Sequence, residues 1–174
     1  MKQPEAICSD SFYFERDKKS DVLIMGLGNY LMGDEGIGVQ AIQKLSGVKL
    51  PETVDLLDGG TGGFLLLSYF ESYGRIILID ATMDGKPPGT INLIQPNFAS
   101  DYPPSLSVHD VGLKDMIEAV YMMDTIPEIY LFTVSISEIE PMCVELSPEV
   151  KKVIPSLIDA VERLCEKLMS SHVT

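Results

Sequence analysis

The stretch Asp21–Gly38, DVLIMGLGNYLMGDEGIG, decides the fold. Asp21–Gly28 opens as a short apolar run stopped by glycines, the pattern of a parallel strand buried on both faces. Gly36–Leu45 (GIGVQAIQKL) then places Ile37, Val39, Ile42 and Leu45 at near-helical spacing, so a helix follows. A buried strand, a glycine-rich turn and a helix in that order begin an α/β domain.

The same alternation continues outward. Thr53–Leu57 reads as a second strand, ended by the glycine-dense Asp58-Gly59-Gly60-Thr61-Gly62-Gly63, and Phe64–Phe70 as a short apolar helix. Arg75–Asp80 (RIILID) is a third strand and Thr90–Gln95 (TINLIQ) a fourth. The link between those two is too short for a helical crossover, so this pair is expected to be antiparallel. Residues 110–122 read as a helix, Ile129–Ser135 as a fifth strand, and Pro148–Met169 as a long amphipathic helix with Val153, Leu157, Ile158, Val161, Leu164 and Leu168 inward. The expectation is a single-domain, three-layer α/β sandwich over residues 21–169. Its sheet has five strands, twisted and mostly parallel, with helices on both faces. Residues 1–20 are read as an extension expected to be mobile, and 170–174 as a short tail. If the strand order contains 2-1-3, the loop Gly28–Glu35 and Asp80 face one crevice at the carboxyl ends of the strands.

Composition narrows the partners. The 174 residues carry 26 acidic and 13 basic side chains, a net charge of −13, which repels nucleic acid and anionic membrane surfaces. No apolar run is long enough to span a bilayer, and the first twenty residues lack the apolar core of a secretion signal. Three scattered cysteines, Cys8, Cys143 and Cys165, form neither a disulfide framework nor a zinc finger. A cytoplasmic protein, with a monomer favoured, is expected.

The first loop begins like a dinucleotide fingerprint, but GxGxxG needs glycine at position 31, where leucine stands. Asp34 and Glu35 at the helix start would repel a pyrophosphate. Carboxylates there suit exposed N–H groups and the helix dipole, and Asp34 is the better candidate cap. That leaves Glu35 at the crevice mouth, able to meet a cation. Asp80 ends a run of isoleucine and leucine, either as a turn former or as a carboxylate aimed into the crevice. His109 is one of two histidines, the other being His172 in the tail, and its bland role is in a helix-start turn. Together Glu35, Asp80 and His109 form an oxygen, oxygen, nitrogen set suited to nickel or zinc, with coordination positions left open. The glycines at 59 and 60, between Asp58 and Thr61, serve either as a tight turn or as a place where a peptide backbone comes close. There is no Gly-x-Ser-x-Gly elbow, which disfavours a serine nucleophile.

GLGNYLMGDEGIG at 26–38, LLDGGTGG at 56–63, IDAT at 79–82, PPGTI at 87–91 and SVHDVGL at 107–113 resemble, in order and spacing, the [NiFe]-hydrogenase maturation endopeptidases. The resemblance covers roughly residues 21–165. It implies a five-stranded α/β peptidase domain, with Glu35, Asp80 and His109 as metal-recognising and catalytic residues. Asp58, Gly59, Gly60 and Thr61 would then bind substrate. It also implies a partner, a large-subunit precursor that carries nickel between its own cysteines and loses a C-terminal extension. Nickel is then presented by the substrate, and no organic cofactor is needed. Water attack assisted by the metal is the favoured chemistry, with Asp80 or Glu35 as general base the other route. Such enzymes are sometimes grouped with aspartic peptidases, but no Asp-Thr/Ser-Gly pair is present. The rival readings are a binding module of the same fold that senses the loaded precursor without cutting it, and a nucleotide-binding α/β protein.

Overall fold

The computed structural model describes residues 21–96, 101, 117–123 and 125–170. Five strands form one sheet: β1 (Val22–Leu27), β2 (Val54–Gly60), β3 (Arg75–Thr82), β4 (Ile91–Ile94) and β5 (Glu128–Ser135). Their order is β2-β1-β3-β5-β4, parallel except for β4. Helix α1 (Ile37–Leu45) follows β1, α2 (Leu67–Ser72) follows β2, and the long α3 (Pro148–Ser170) closes the chain.

The central strands β1, β3 and β5 are buried on both faces, which is why they read as continuous apolar runs rather than alternating ones. Along β1, Val22 and Ile24 point to one side, where α1 brings Ile37, Ala41, Ile42 and Leu45 and α3 brings Leu157, Val161 and Leu164. Leu23, Met25 and Leu27 point to the other, against Leu66 and Phe70 around α2 and against Ile117 and Val120. Strand period two and helix period 3.6 thus meet in two apolar layers, one on each side of the sheet.

The expected antiparallel strand is present, but its partner is different. β4 pairs with β5, Ile91 opposite Val134 and Ile94 opposite Leu131, and β5 lies between β4 and β3. A short link forbids a parallel neighbour; it does not require the two linked strands to touch. The glycine-dense segment also differs from its reading, since Asp58, Gly59 and Gly60 extend β2 rather than leave it. The apolar helix expected at Phe64–Phe70 is two pieces, a 3-10 turn at Gly63–Leu66 and then α2. Of the helix expected at 110–122, residues 117–120 are helical and 110–116 lie outside the described residues.

Strand order 2-1-3 places the reversal of direction between β1 and β3. A crevice therefore opens at their carboxyl ends. Gly38, at the start of α1, makes this corner tight. A Cβ there would lie 2.2 Å from the Leu27 carbonyl oxygen and 2.3 Å from that of Ile79. The helix rests on the ends of both strands backbone to backbone, which no other residue permits.

Candidate active site

Glu35 sits in a 3-10 turn, Gly33–Gly36, folded back over the end of β1. Two glycines with positive φ shape that return, Gly28 at +115° and Gly33 at +59°. A Cβ on Gly28 would lie 2.0 Å from the Glu35 carbonyl oxygen and 3.9 Å from Asp80 Oδ1. The turn carrying Glu35, the end of β1 and the Asp80 carboxylate therefore share one crevice. Asn29 helps to set the turn, since its Oδ1 accepts a hydrogen bond from the Leu31 N–H at 3.0 Å.

Asp80 is wholly buried near the end of β3, where its Oδ1 accepts a hydrogen bond from the Ala81 N–H at 2.8 Å. Glu35 is buried as well, with its Oε2 sealed from solvent. Ionised carboxylates in such places are held by donors or by a cation, because burial alone disfavours the charge. Among the described residues the buried polar side chains are Asp34, Glu35, Asp80, Thr82, Thr133 and Ser135. All six lie at the carboxyl edge, on the turn after β1 or near the ends of β3 and β5. Thr82, Thr133 and Ser135 went unnoticed in the sequence. Their signal was a hydroxyl recurring at alternate positions in otherwise apolar strands.

Asp34 is a cap, though of an unexpected helix. Neither its own turn nor α1 receives a side-chain cap. Its Oδ1 instead accepts the Ser147 N–H at 2.7 Å, just before α3, while Ser147 Oγ accepts the Val150 N–H at 3.3 Å. The start of α3 is thereby tied to the loop that carries Glu35.

Asp58, Gly59, Gly60 and Thr61 reach the same edge. Gly60 has φ +48°, its N–H donates to Asp58 Oδ1 at 3.1 Å, and its carbonyl accepts the Gly28 N–H at 3.0 Å. Gly59 is closely packed, since a Cβ there would meet Met25 and Leu27 side chains at 3.0 Å. Asp58 and Thr61 are exposed. His109 lies outside the described residues, and among those residues no three His, Cys, Asp or Glu side chains group as a metal-holding set. The structure thus brings two members of the expected triad, Glu35 and Asp80, to one crevice.

The two described cysteines offer little as nucleophiles. Cys165 is buried in α3, and burial, with Glu162 nearby, pushes its thiol up to about 11, far from a thiolate at neutral pH. Cys143 donates from Sγ to the Glu145 carbonyl at 3.5 Å and is half-buried. No helix among the described residues is long and apolar enough to cross a membrane.

Comparison with known proteins agrees with this geometry. Residues 39–164 match the family described as hydrogenase maturation protease. The hydrogenase expression/formation protein HupD of Bradyrhizobium diazoefficiens is 32% identical, over 88% of this chain and 80% of that protein. The hydrogenase 2 maturation protease of Escherichia coli is 31% identical, over 80% of this chain and 87% of that one. The solved structure of the hydrogenase maturating endopeptidase HybD from E. coli superposes with a TM-score of 0.76 at 29% identity, covering 84% of this chain and 92% of that chain. Fold and sequence thus agree, and the chain belongs to the hydrogenase maturation protease family.

Proposed function

We propose that this protease removes the C-terminal extension of a [NiFe]-hydrogenase large-subunit precursor, and that it acts only when the precursor already holds nickel. The observation that supports this most is the gathering of all six described buried polar side chains, Glu35 and Asp80 among them, at one edge of the sheet. Buried carboxylates are expensive to maintain, so their concentration at one crevice favours a cation as the thing recognised. Hard oxygen donors joined by the His109 imidazole suit a borderline divalent ion. In this reading the precursor's thiolates hold one side of its nickel, and Glu35, Asp80 and His109 take the other. The scissile bond is thereby positioned beside them. Positioning of this kind converts a slow bimolecular attack by water into a directed one. Nickel bound in this way supplies Lewis-acid polarisation of the scissile carbonyl, and whichever carboxylate lies nearer the water takes its proton. Asp58, Gly59, Gly60 and Thr61 border the extended peptide on the β2 side. The protein acts in the cytoplasm, as a monomer, and carries no organic cofactor.

The test uses nickel-loaded and nickel-free precursor side by side. Wild type is expected to cut only the loaded form. Glu35→Gln, Asp80→Asn and His109→Ala are each expected to leave no cleaved product. The first two change almost no volume, so their melting temperatures should stay close to that of wild type. Equal cutting of both precursors by wild type would refute the nickel gate and leave the carboxylates to ordinary acid–base work. A normally folded wild type that binds loaded precursor and never cuts it would favour the binding-module reading.

A further inference from the structure

Beside the Glu35 turn the structure builds a second feature that catalysis does not use. The loop after β1 and the loop after β5 are joined by an isolated bridge. The Gly33 N–H donates to the Cys143 carbonyl at 2.7 Å, the Cys143 N–H donates to the Leu31 carbonyl at 3.1 Å, and Met32 pairs with Cys143 in parallel. Gln40 Nε2 ties the same loop to α1 by donating to the Val144 carbonyl at 2.9 Å. Flanking this bridge in sequence are exposed apolar side chains: Leu31, 51% exposed, Met142, 88% exposed, and Val144, 44% exposed, with Tyr30 at 39% next to Leu31. Met142 also stands at φ +61°, a conformation unfavourable for a side chain of its size. Holding a long apolar side chain almost wholly in solvent, on a strained backbone, serves no folding purpose visible here.

The charge around it is one-sided. Residues 26–43 and 136–150 contain no lysine or arginine, while Glu138, Glu140, Glu145 and Glu149 are all exposed. A second copy of this chain would set these carboxylates against one another. A basic partner would find them complementary. The patch is also continuous with the active crevice, because Gly33 belongs to the 3-10 turn of Glu35 and Asp34 fastens that turn to Ser147.

We propose that Tyr30, Leu31, Met142 and Val144 form a docking platform for the folded body of the substrate protein, which presents there an apolar patch rimmed by lysine and arginine. This rests on the reading above that the substrate is a hydrogenase precursor. The platform grips the body of that protein, and the crevice handles its metal and its tail. Affinity and nickel gating are then carried by different residues.

The experiment is steady-state cleavage of nickel-loaded precursor by the full chain, with calorimetric binding of the same precursor in parallel. Met142→Gly relieves the positive φ and removes the side chain, so it should melt no earlier than wild type. Met142→Gly and Leu31→Ser are each expected to raise KM about fivefold or more and leave kcat within about twofold, as loss of an apolar anchor does. Glu138→Lys with Glu145→Lys should raise KM at low salt and converge on wild type in high salt. An unchanged KM and Kd in Met142→Gly and Leu31→Ser would overturn the platform. So would light scattering that finds a dimer of wild type dissolved by Met142→Gly, since the occupant would then be a second copy. If wild type binds the precursor without cutting it, the protease reading fails while Kd still tests the platform. If wild type cuts and the variants bind normally, only the platform fails.

Discussion

Asp34 and Glu35 are neighbours in one turn and have different tasks. Asp34 satisfies the Ser147 N–H, a donor 113 residues away, and Glu35 is buried at the carboxyl edge of the sheet. Asp34→Ala leaves that amide without its acceptor and should lower stability by about 1–3 kcal/mol, which a urea titration would read as a lower midpoint at unchanged m. Asp34→Asn keeps an acceptor oxygen and should retain most of the cleavage. A folded but inactive Asn variant would move the catalytic assignment from Glu35 to Asp34. The sequence shows that a carboxylate stands at a helix start. It cannot show which helix is capped, because the amide concerned is brought there only by tertiary structure. Asp80 stood out as a candidate because an aspartate ends the apolar run RIILI, a position that fits a turn former or a carboxylate at the crevice. Met142 did not, since a methionine in a polar loop reads as incidental until its exposure and its φ are known.

At the scale of elements, four of the five strands were legible to within a residue or two, the end of β2 being the exception, because strands covered on both faces demand unbroken apolar runs. The pairing of β4 was not, because β5, which arrives some 30 residues later, takes the place beside β3. β2 runs on through Gly60 because its last residues pair with the end of β1 across an irregular register at Gly26 and Leu27. Helix α3 holds an anomaly of its own. Pro155 lies inside it and is exposed, so the Lys151 carbonyl loses its usual donor four residues on. Proline in a helix interior costs about 3 kcal/mol relative to alanine. Pro155→Ala should therefore raise stability by about 1–3 kcal/mol and the melting temperature by several degrees, with cleavage unaffected. A melting temperature that falls instead would mean that the proline sets a bend on which the packing of Leu157, Ile158 and Val161 depends.

For the whole molecule the dominant fact is charge. With −13 distributed over 174 residues, the folded state repels itself. Raising sodium chloride from about 20 mM to about 0.3 M, which shortens the Debye length from roughly 20 Å to below 10 Å, should raise the melting temperature by a few degrees. No rise in a scanning calorimeter would show that the carboxylates lie too far apart to strain the fold. The same salt should slow encounter with a basic partner, so stability and capture move in opposite directions. Architecture sets a different limit, at the corner where Gly38 lies against the carbonyls of Leu27 and Ile79. The genetic code spells glycine with a fixed pair of guanines and a free third base. Third-base errors at that codon are silent. Every error in the other two places either truncates the chain or drives a carbon atom between a helix and two strands. For inheritance this seam is a checkpoint: its gene can drift in spelling there, but a single altered letter cannot rewrite the meaning without prising this corner open.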